Sequence, residues 1–247
     1  MTETDSHETD FGFRRVAVAD KAPMVAQVFD QVADRYDVMN DVMSGGVHRL
    51  WKRALVNSLR PRRDLHLLDV AGGTGDIARR FLARARAHEE NWGLPRITLC
   101  DINATMLMRG RDRLIDRGEF GTIAWSCGDA EQLPFPSGSV DAITIAFGIR
   151  NVTHINVALS EMRRVLRPGG QFLCLEFSRL ILPGLKKLYD TYSFHVIPAL
   201  GQWIAKDREA YTYLVESIRR FPNQETFAQM IADAGLARVK VINLSGG

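Results

Sequence analysis

The chain has 247 residues, of which 46% are hydrophobic and 25% charged, with a formal net charge of +3. That length buries a substantial core, as one large α/β domain or two small ones, and the composition is that of a soluble globular protein. The mild charge argues against the concentrated basic surface of a nucleic-acid enzyme, so no nucleic-acid partner is expected, and no apolar run approaches the roughly eighteen residues needed to span a bilayer.

Residues 1–20 open with MTETDSHETDF, acidic and polar, unlike a secretory signal or an Arg-rich transit peptide. They are expected to be a disordered tail ahead of a single domain over 21–247. Cys100, Cys127 and Cys174 lack metal-ligand spacing, so buried free thiols in a reducing cytoplasm are expected, and no metal site. Residues 21–60 read as a helical cap. Met24, Val25, Val28, Phe29 and Val32 recur at helical spacing, and Ser44, Gly45 and Gly46 end one helix before the next begins.

Over 61–178, strands alternate with helices. HLLDVA leads to DIARRFLARARAHEE, RITLCD to NATMLMRGRDRLIDR, TIAWSCGD through AEQLPFPSGSV to DAITIAFG, and INVALSEMRRVL to RPGGQFLCLEF. Near-continuous apolar strands in this rhythm predict an α/β fold with a parallel sheet covered on both faces. Residues 179–222 break the rhythm with aromatics and Pro183, Pro198 and Gly201, and read as a helical insertion whose aromatics mostly fill core. Residues 223–247 then close the domain as a helix and a strand, ETFAQMIADAGLARVKVINL.

Ligands of open parallel sheets bind beyond the carboxyl ends of the strands, where AGGTGD lies. Gly72, Gly73 and Gly75 can take positive φ and admit ligand atoms close to the backbone. From Gly73, the run Gly73-Thr74-Gly75-Asp76-Ile77-Ala78 fits a dinucleotide fingerprint only in part, and no Gly-Lys-Ser/Thr follows to make a phosphate-binding Walker loop. The competing ligand is S-adenosylmethionine, which carries an ammonium and a sulfonium. On this reading Asp76 would repel a pyrophosphate but tolerate a cation. Asp101, ending the second core strand, can accept both ribose hydroxyls, an arrangement NAD enzymes share. Asp129, ending the third, can meet an adenine edge together with the Ala130 backbone, with Ile102 and Leu133 flanking the ring. A glycine turn and acids on successive strand ends form a more specific set than the turn alone.

These residues resemble the class I S-adenosylmethionine-dependent methyltransferases, and more narrowly the family that C-methylates ubiquinone and menaquinone precursors. The resemblance rests on FDQVADRYDVMNDVMSGGVHRLWK, LLDVAGGTGD, DAEQLPFP, ITIAFGIRNV, RVLRPGGQFLCLEFS, YDTYSFHVIPALGQWIAKD and YTYLVESIRRFPNQ, across nearly all of residues 20–247. It implies a Rossmann-like methyltransferase sheet and cofactor binding at Thr74, Asp101, Asp129 and Ala130. It also implies methyl transfer to a ring carbon of a polyprenylated quinol. Family members often carry serine where Ala146 stands, and continue past NLSGG with a strand that would pair with the sixth.

A carbon nucleophile arises when a quinol O–H is lost or strongly hydrogen-bonded, since its oxygen then feeds electron density to the ortho carbon. Arg150 and Asn151 in FGIRNV follow the fourth core strand, where acceptor would meet methyl group. Arg150 can stabilise a phenolate or orient a proton-accepting water, though it can equally pair with an acid and pin the loop. Asn151 can hydrogen-bond a ring oxygen. Tyr36, His195 and His48 are further candidates, the histidines more readily structural. The apolar acceptor tail suggests peripheral membrane contact, at the inner membrane surface, or membership of a quinone-biosynthesis complex. Rival readings are a methyltransferase acting on a phospholipid amine or sterol, a non-catalytic subunit with the cofactor fold, and an NAD-dependent oxidoreductase.

Overall fold

The computed structural model describes residues 7–32, 40–41, 44–59, 64–88, 94–118, 121, 123–178 and 208–245. They cluster into two compact units, one of residues 1–48, 177–226 and 241–247, the other of residues 49–176 and 227–240.

The second unit is the α/β body. Its strands β3 (His66–Val70), β4 (Arg96–Asp101), β5 (Ile123–Cys127), β6 (Val140–Ala146) and β7 (Leu166–Leu175) form one sheet in the order β5-β4-β3-β6-β7. Every neighbouring pair is parallel. The order reverses at β3, so the crevice beyond β3 and its neighbours is where a ligand would sit. Consecutive residues Leu67 and Leu68 are both fully buried, as are Leu99, Ile143 and Ile145, so both sheet faces are covered and the strands must be apolar throughout. In β7, Leu166 pairs with Val140, Arg167–Gly170 bulge out, and pairing resumes at Ala142 and Gln171.

Between the strands run α2 (His48–Ser58), which precedes β3, then α3 (Asp76–Arg86), α4 (Ala104–Ile115) and α5 (Ile155–Val165). α3 buries Ile77, Ala78, Phe81, Leu82 and Ala85, a stripe of helical period, and ends on Arg84 and Arg86, which suit its C-terminal dipole. Arg84 also donates from Nη1 to the carbonyls of Val56 and Leu59, tying the end of α2 to α3. α4 starts at Asn103, whose side chain accepts from the Met106 amide.

The first unit holds the N-terminal residues, α1 (Val18–Val32) and α6 (Arg208–Arg220). Here the structure departs from the expected disordered tail. Glu8–Phe11 (β1) and Arg14–Ala17 (β2) pair as an antiparallel hairpin around Gly12, at φ 58°. Its anchor is one apolar residue in a polar stretch: Phe11 is 3% exposed and stacks on Tyr213 of α6 at 4.2 Å, while the Phe13 amide donates to Glu216. Averaging charge over the N-terminus hides that anchor. The predicted insertion is described from residue 208, where α6 begins; its aromatics Tyr211, Tyr213 and Phe221 are buried core.

The helix α7 (Gln224–Asp233) forms as expected, but the strand after it does not. Residues 236–244 lie outside any strand, with Val239, Val241 and Ile242 exposed. Their alternating pattern is strand-like, but a strand exists only where another pairs with it, and none of the described strands does.

Candidate active site

Between Val70 and Asp76 the chain reverses from β3 into α3 through Ala71, Gly73 and Gly75, all left-handed at φ 49°, 52° and 78°. For alanine this backbone costs about 1 kcal/mol or more, whereas glycine adopts it freely. Gly72 is needed for a different reason: a β-carbon there would stand 2.7 Å from Leu99 Cγ and 3.0 Å from Asp69 Oδ2. Gly110 of α4, which the sequence reading passed over, is the turn's other wall. A β-carbon on it would come within 2.8 Å of the Thr74 carbonyl. A glycine inside a helix costs about 1 kcal/mol against alanine, so its presence there was the available signal of a close approach.

Asp101 closes the turn from β4. Its Oδ2 accepts from the Gly73 amide at 2.7 Å and its Oδ1 from the Asn103 amide at 2.8 Å. Burial raises its pKa, partly opposed by the amides of Asn103, Gly73 and Ile102. Each oxygen keeps a lone pair for a further hydroxyl donor. Asp129 is exposed just beyond β5, where Oδ1 accepts from the Glu131 amide in an Asx turn, with Ala130 half-buried beside it. Ile102 is exposed at the end of β4, while Leu133 is buried, so of the two expected ring neighbours only Ile102 lies on the surface.

Asp76 corrects a step in the sequence reading. Its place at the helix start predicts that it repels a pyrophosphate. In the structure it meets Lys52 Nζ at 3.0 Å, Arg79 at 2.9 Å and Arg80 at 3.0 Å. Burial works to raise its pKa, but the charges and hydrogen bonds of Lys52 and Arg80 outweigh that and hold it well below the usual carboxylate range. With so many cations around it Asp76 repels no anion, and the case against a dinucleotide has to rest on other residues. The carboxylate without a counter-ion among the described residues is Asp69, near the end of β3. It is 1% exposed, and its Oδ1 accepts from Thr144 Oγ1 at 2.7 Å. Among the described residues its Oδ2 has no hydrogen-bond partner.

A second strained turn ends β6. Phe147 is left-handed at φ 59° and buried, with Lys52 Nζ 5.9 Å from its ring centroid. Gly148 packs so close to Ala71 that a β-carbon would stand 2.5 Å from that residue's own, so the β3 and β6 turns touch. A 3-10 turn, Ile149–Asn151, follows. Arg150, expected to face the acceptor, has a side chain only 1% exposed, and Nη1 meets Glu176 Oε1 at 2.7 Å and the Phe147 carbonyl at 2.5 Å. The geometry is that of the pinning alternative. Glu176, directly after β7, is the partner that sequence reading missed. Asn151 is half-buried at the end of the same turn, and Ala146 offers no hydroxyl.

The two ligand-side loops are also joined to each other. Glu131 Oε1 accepts from the amides of Thr153 and His154, and its Oε2 meets His154 Nδ1 at 2.7 Å. Tyr36 and His195 lie outside the described residues. His48 is buried, and the Ser44 hydroxyl donates to the Asn40 carbonyl at 2.7 Å while lying 3.0 Å from His48 Nδ1. With its one proton committed, that hydroxyl accepts from Nδ1–H and holds the imidazole in a local structural bond.

The profile of the ubiE/COQ5 methyltransferase family matches residues 16–247. The chain belongs to that family. It is 57% identical over 247 residues to the ubiquinone/menaquinone biosynthesis C-methyltransferase UbiE of Paracoccus denitrificans, covering 100% of this chain and 96% of the relative. It is 54% identical over 253 residues to a mitochondrial 2-methoxy-6-polyprenyl-1,4-benzoquinol methylase of Oryza sativa, covering 98% and 86%. Among solved structures, phosphoethanolamine N-methyltransferase 2 of Haemonchus contortus, in complex with S-adenosyl-L-methionine, aligns at a TM-score of 0.50 and 19% identity, covering 75% of this chain and 36% of that one. That likeness shows the fold alone. In this member of the ubiE/COQ5 methyltransferase family, the bare glycine cradle and the buried, half-satisfied Asp69 fit a ligand that brings positive charge to the turn.

Proposed function

We propose that this methyltransferase moves a methyl group from S-adenosylmethionine to a ring carbon of a polyprenylated quinol in ubiquinone and menaquinone biosynthesis. The acceptor is a benzoquinol, a naphthoquinol (demethylmenaquinol) or both. The observation that carries this reading is the strand-end set of Gly72–Gly75, Asp101 and Asp129 in a chain 57% identical, end to end, to a relative named for that reaction. The cofactor supplies an electrophilic methyl on its sulfonium. The chain holds it: Asp101 takes the ribose hydroxyls, Asp129 and the Ala130 backbone the adenine edge, and Gly72, Gly73, Thr74 and Gly75 the amino-acid end.

The acceptor needs its hydroxyl polarised and its ring carbon aligned, and alignment with exclusion of water supplies much of the rate. Asn151 hydrogen-bonds a ring oxygen. Arg150 serves as a positioning residue, because its guanidinium is spent on Glu176 and Phe147 and so fixes the turn that presents Asn151. Tyr36 is the further candidate for this step. Among the described residues no helix is long and apolar enough to cross a membrane. The apolar isoprenoid tail of the acceptor is what supports peripheral contact at the bilayer surface or membership of a quinone-biosynthesis complex.

The test is methyl transfer from labelled S-adenosylmethionine to demethylated benzoquinols and naphthoquinols, read by mass spectrometry. Label on a quinol ring carbon is expected. Label only on a phospholipid amine or sterol, or none despite cofactor binding, overturns the reading.

A further inference from the structure

We infer that Asp69 is a cation-for-proton exchanger: it holds a proton while the glycine turn is empty and releases it when the positively charged end of the cofactor binds. This rests on the cofactor reading above and goes beyond it, since it gives a role to a residue that touches none of the proposed ribose or adenine contacts.

The geometry leads to it. Asp69 is the penultimate residue of β3, 1% exposed, and its Oδ1 accepts from Thr144 Oγ1 of β6 at 2.7 Å. Among the described residues Oδ2 has no hydrogen-bond partner, and it stands 3.0 Å from where a Gly72 β-carbon would be, so it borders the bare part of the turn. A buried carboxylate with an unmet oxygen is costly when ionised, and protonation or a nearby cation relieves it. The other charged groups nearby do not. β4 brings Asp101, a like charge. From α3 comes Asp76, whose negative charge also opposes ionisation, while Lys52, Arg79 and Arg80 are already spent on Asp76. Burial pushes the Asp69 carboxyl up to about 7; the Thr144 hydroxyl and the Ala78 amide act against this, Asp76 and Asp101 with it.

The sign follows. An acid protonated in the empty site and ionised in the filled one makes binding tighter as pH rises, until the empty-site value is passed. With that value about 7, binding at pH 6 releases about nine-tenths of a proton and at pH 7 about half, and affinity rises about fivefold between them. Over this range an α-amino group of ordinary pKa stays largely cationic, so the ligand's own titration contributes little.

The experiment is titration calorimetry of the whole chain with S-adenosylmethionine and with S-adenosylhomocysteine, which lacks the sulfonium charge, at both pH values in buffers of differing ionisation enthalpy. The expected result is the stated proton release and fivefold step for the wild type, and neither for Asp69→Asn. Thr144→Val, which removes the donor that favours the charged form, is expected to shift the step to higher pH and keeps the inference testable should Asp69→Asn fail to fold. Binding with no proton release, with release unchanged in Asp69→Asn, or with a step unmoved by Thr144→Val overturns the inference and leaves the cofactor reading standing. No binding of either ligand overturns both.

Discussion

The turns that end β3 and β6 are adjacent and similarly strained, yet they are built in opposite ways. Each carries a non-glycine residue in the left-handed region, Ala71 in one and Phe147 in the other. The β3 turn is held through its own amides: those of Gly72 and Gly75 bond the carbonyls of Cys100 and Gly72, that of Gly73 the Asp101 carboxylate, and the three glycines leave only hydrogen where side chains would stand. The β6 turn is held by side chains, the buried Arg150–Glu176 pair and the Phe147 ring under Lys52. A turn built from backbone leaves an empty cradle that takes a ligand shared by many enzymes. One built from side chains can be tuned to a single acceptor. We take this as the division of labour between cofactor and substrate.

The difference can be attacked from either side. Glu176→Ala leaves the Arg150 guanidinium buried without its counter-ion, and is expected to destabilise by about 3–5 kcal/mol, the largest effect here. Thermal unfolding would read it, and a change under about 1 kcal/mol would mean that the pair does not hold the turn. Asp101→Ala removes a bonded carboxylate from the cradle and should weaken cofactor affinity about ten- to a hundredfold, while the Gly73 and Asn103 amides, left without their acceptor, cost about 1–3 kcal/mol of stability. Unchanged affinity by calorimetry would remove Asp101 from the cofactor. Gly110→Ala pushes a methyl against the Thr74 carbonyl, at an overpacking cost of about 1–3 kcal/mol, and should lower cofactor affinity although the residue touches no ligand. The smallest effect is expected of His154→Ala, an exposed partner of Glu131, at less than about 1 kcal/mol of stability.

The same contrast explains what could be read from the sequence. The β3 turn was legible because backbone demands are written as residue type: glycine where φ is positive or space is absent, and acids at strand ends a fixed distance on. The parallel sheet was legible because buried strands have to be apolar. Arg150 is legible as a residue, and its pairing with an acid as one of its two readings, but which acid is not, since Glu176 lies 26 positions away and only folding brings them together. Asp76 misled in the same way, because Lys52 reaches it from another helix. The N-terminal hairpin was missed because a single buried Phe11 outweighs the polar residues around it, and the final strand was over-predicted because alternation does not supply a partner.

The most direct measurement of the division between the two turns is Asn151→Ala, assayed for cofactor affinity and for quinol methylation in the same preparation. The account predicts turnover down about ten- to a hundredfold, as expected for one lost hydrogen bond to a developing oxyanion, with S-adenosylmethionine affinity unchanged. Affinity and turnover falling together would contradict it, since the β6 turn would then be holding the cofactor as well.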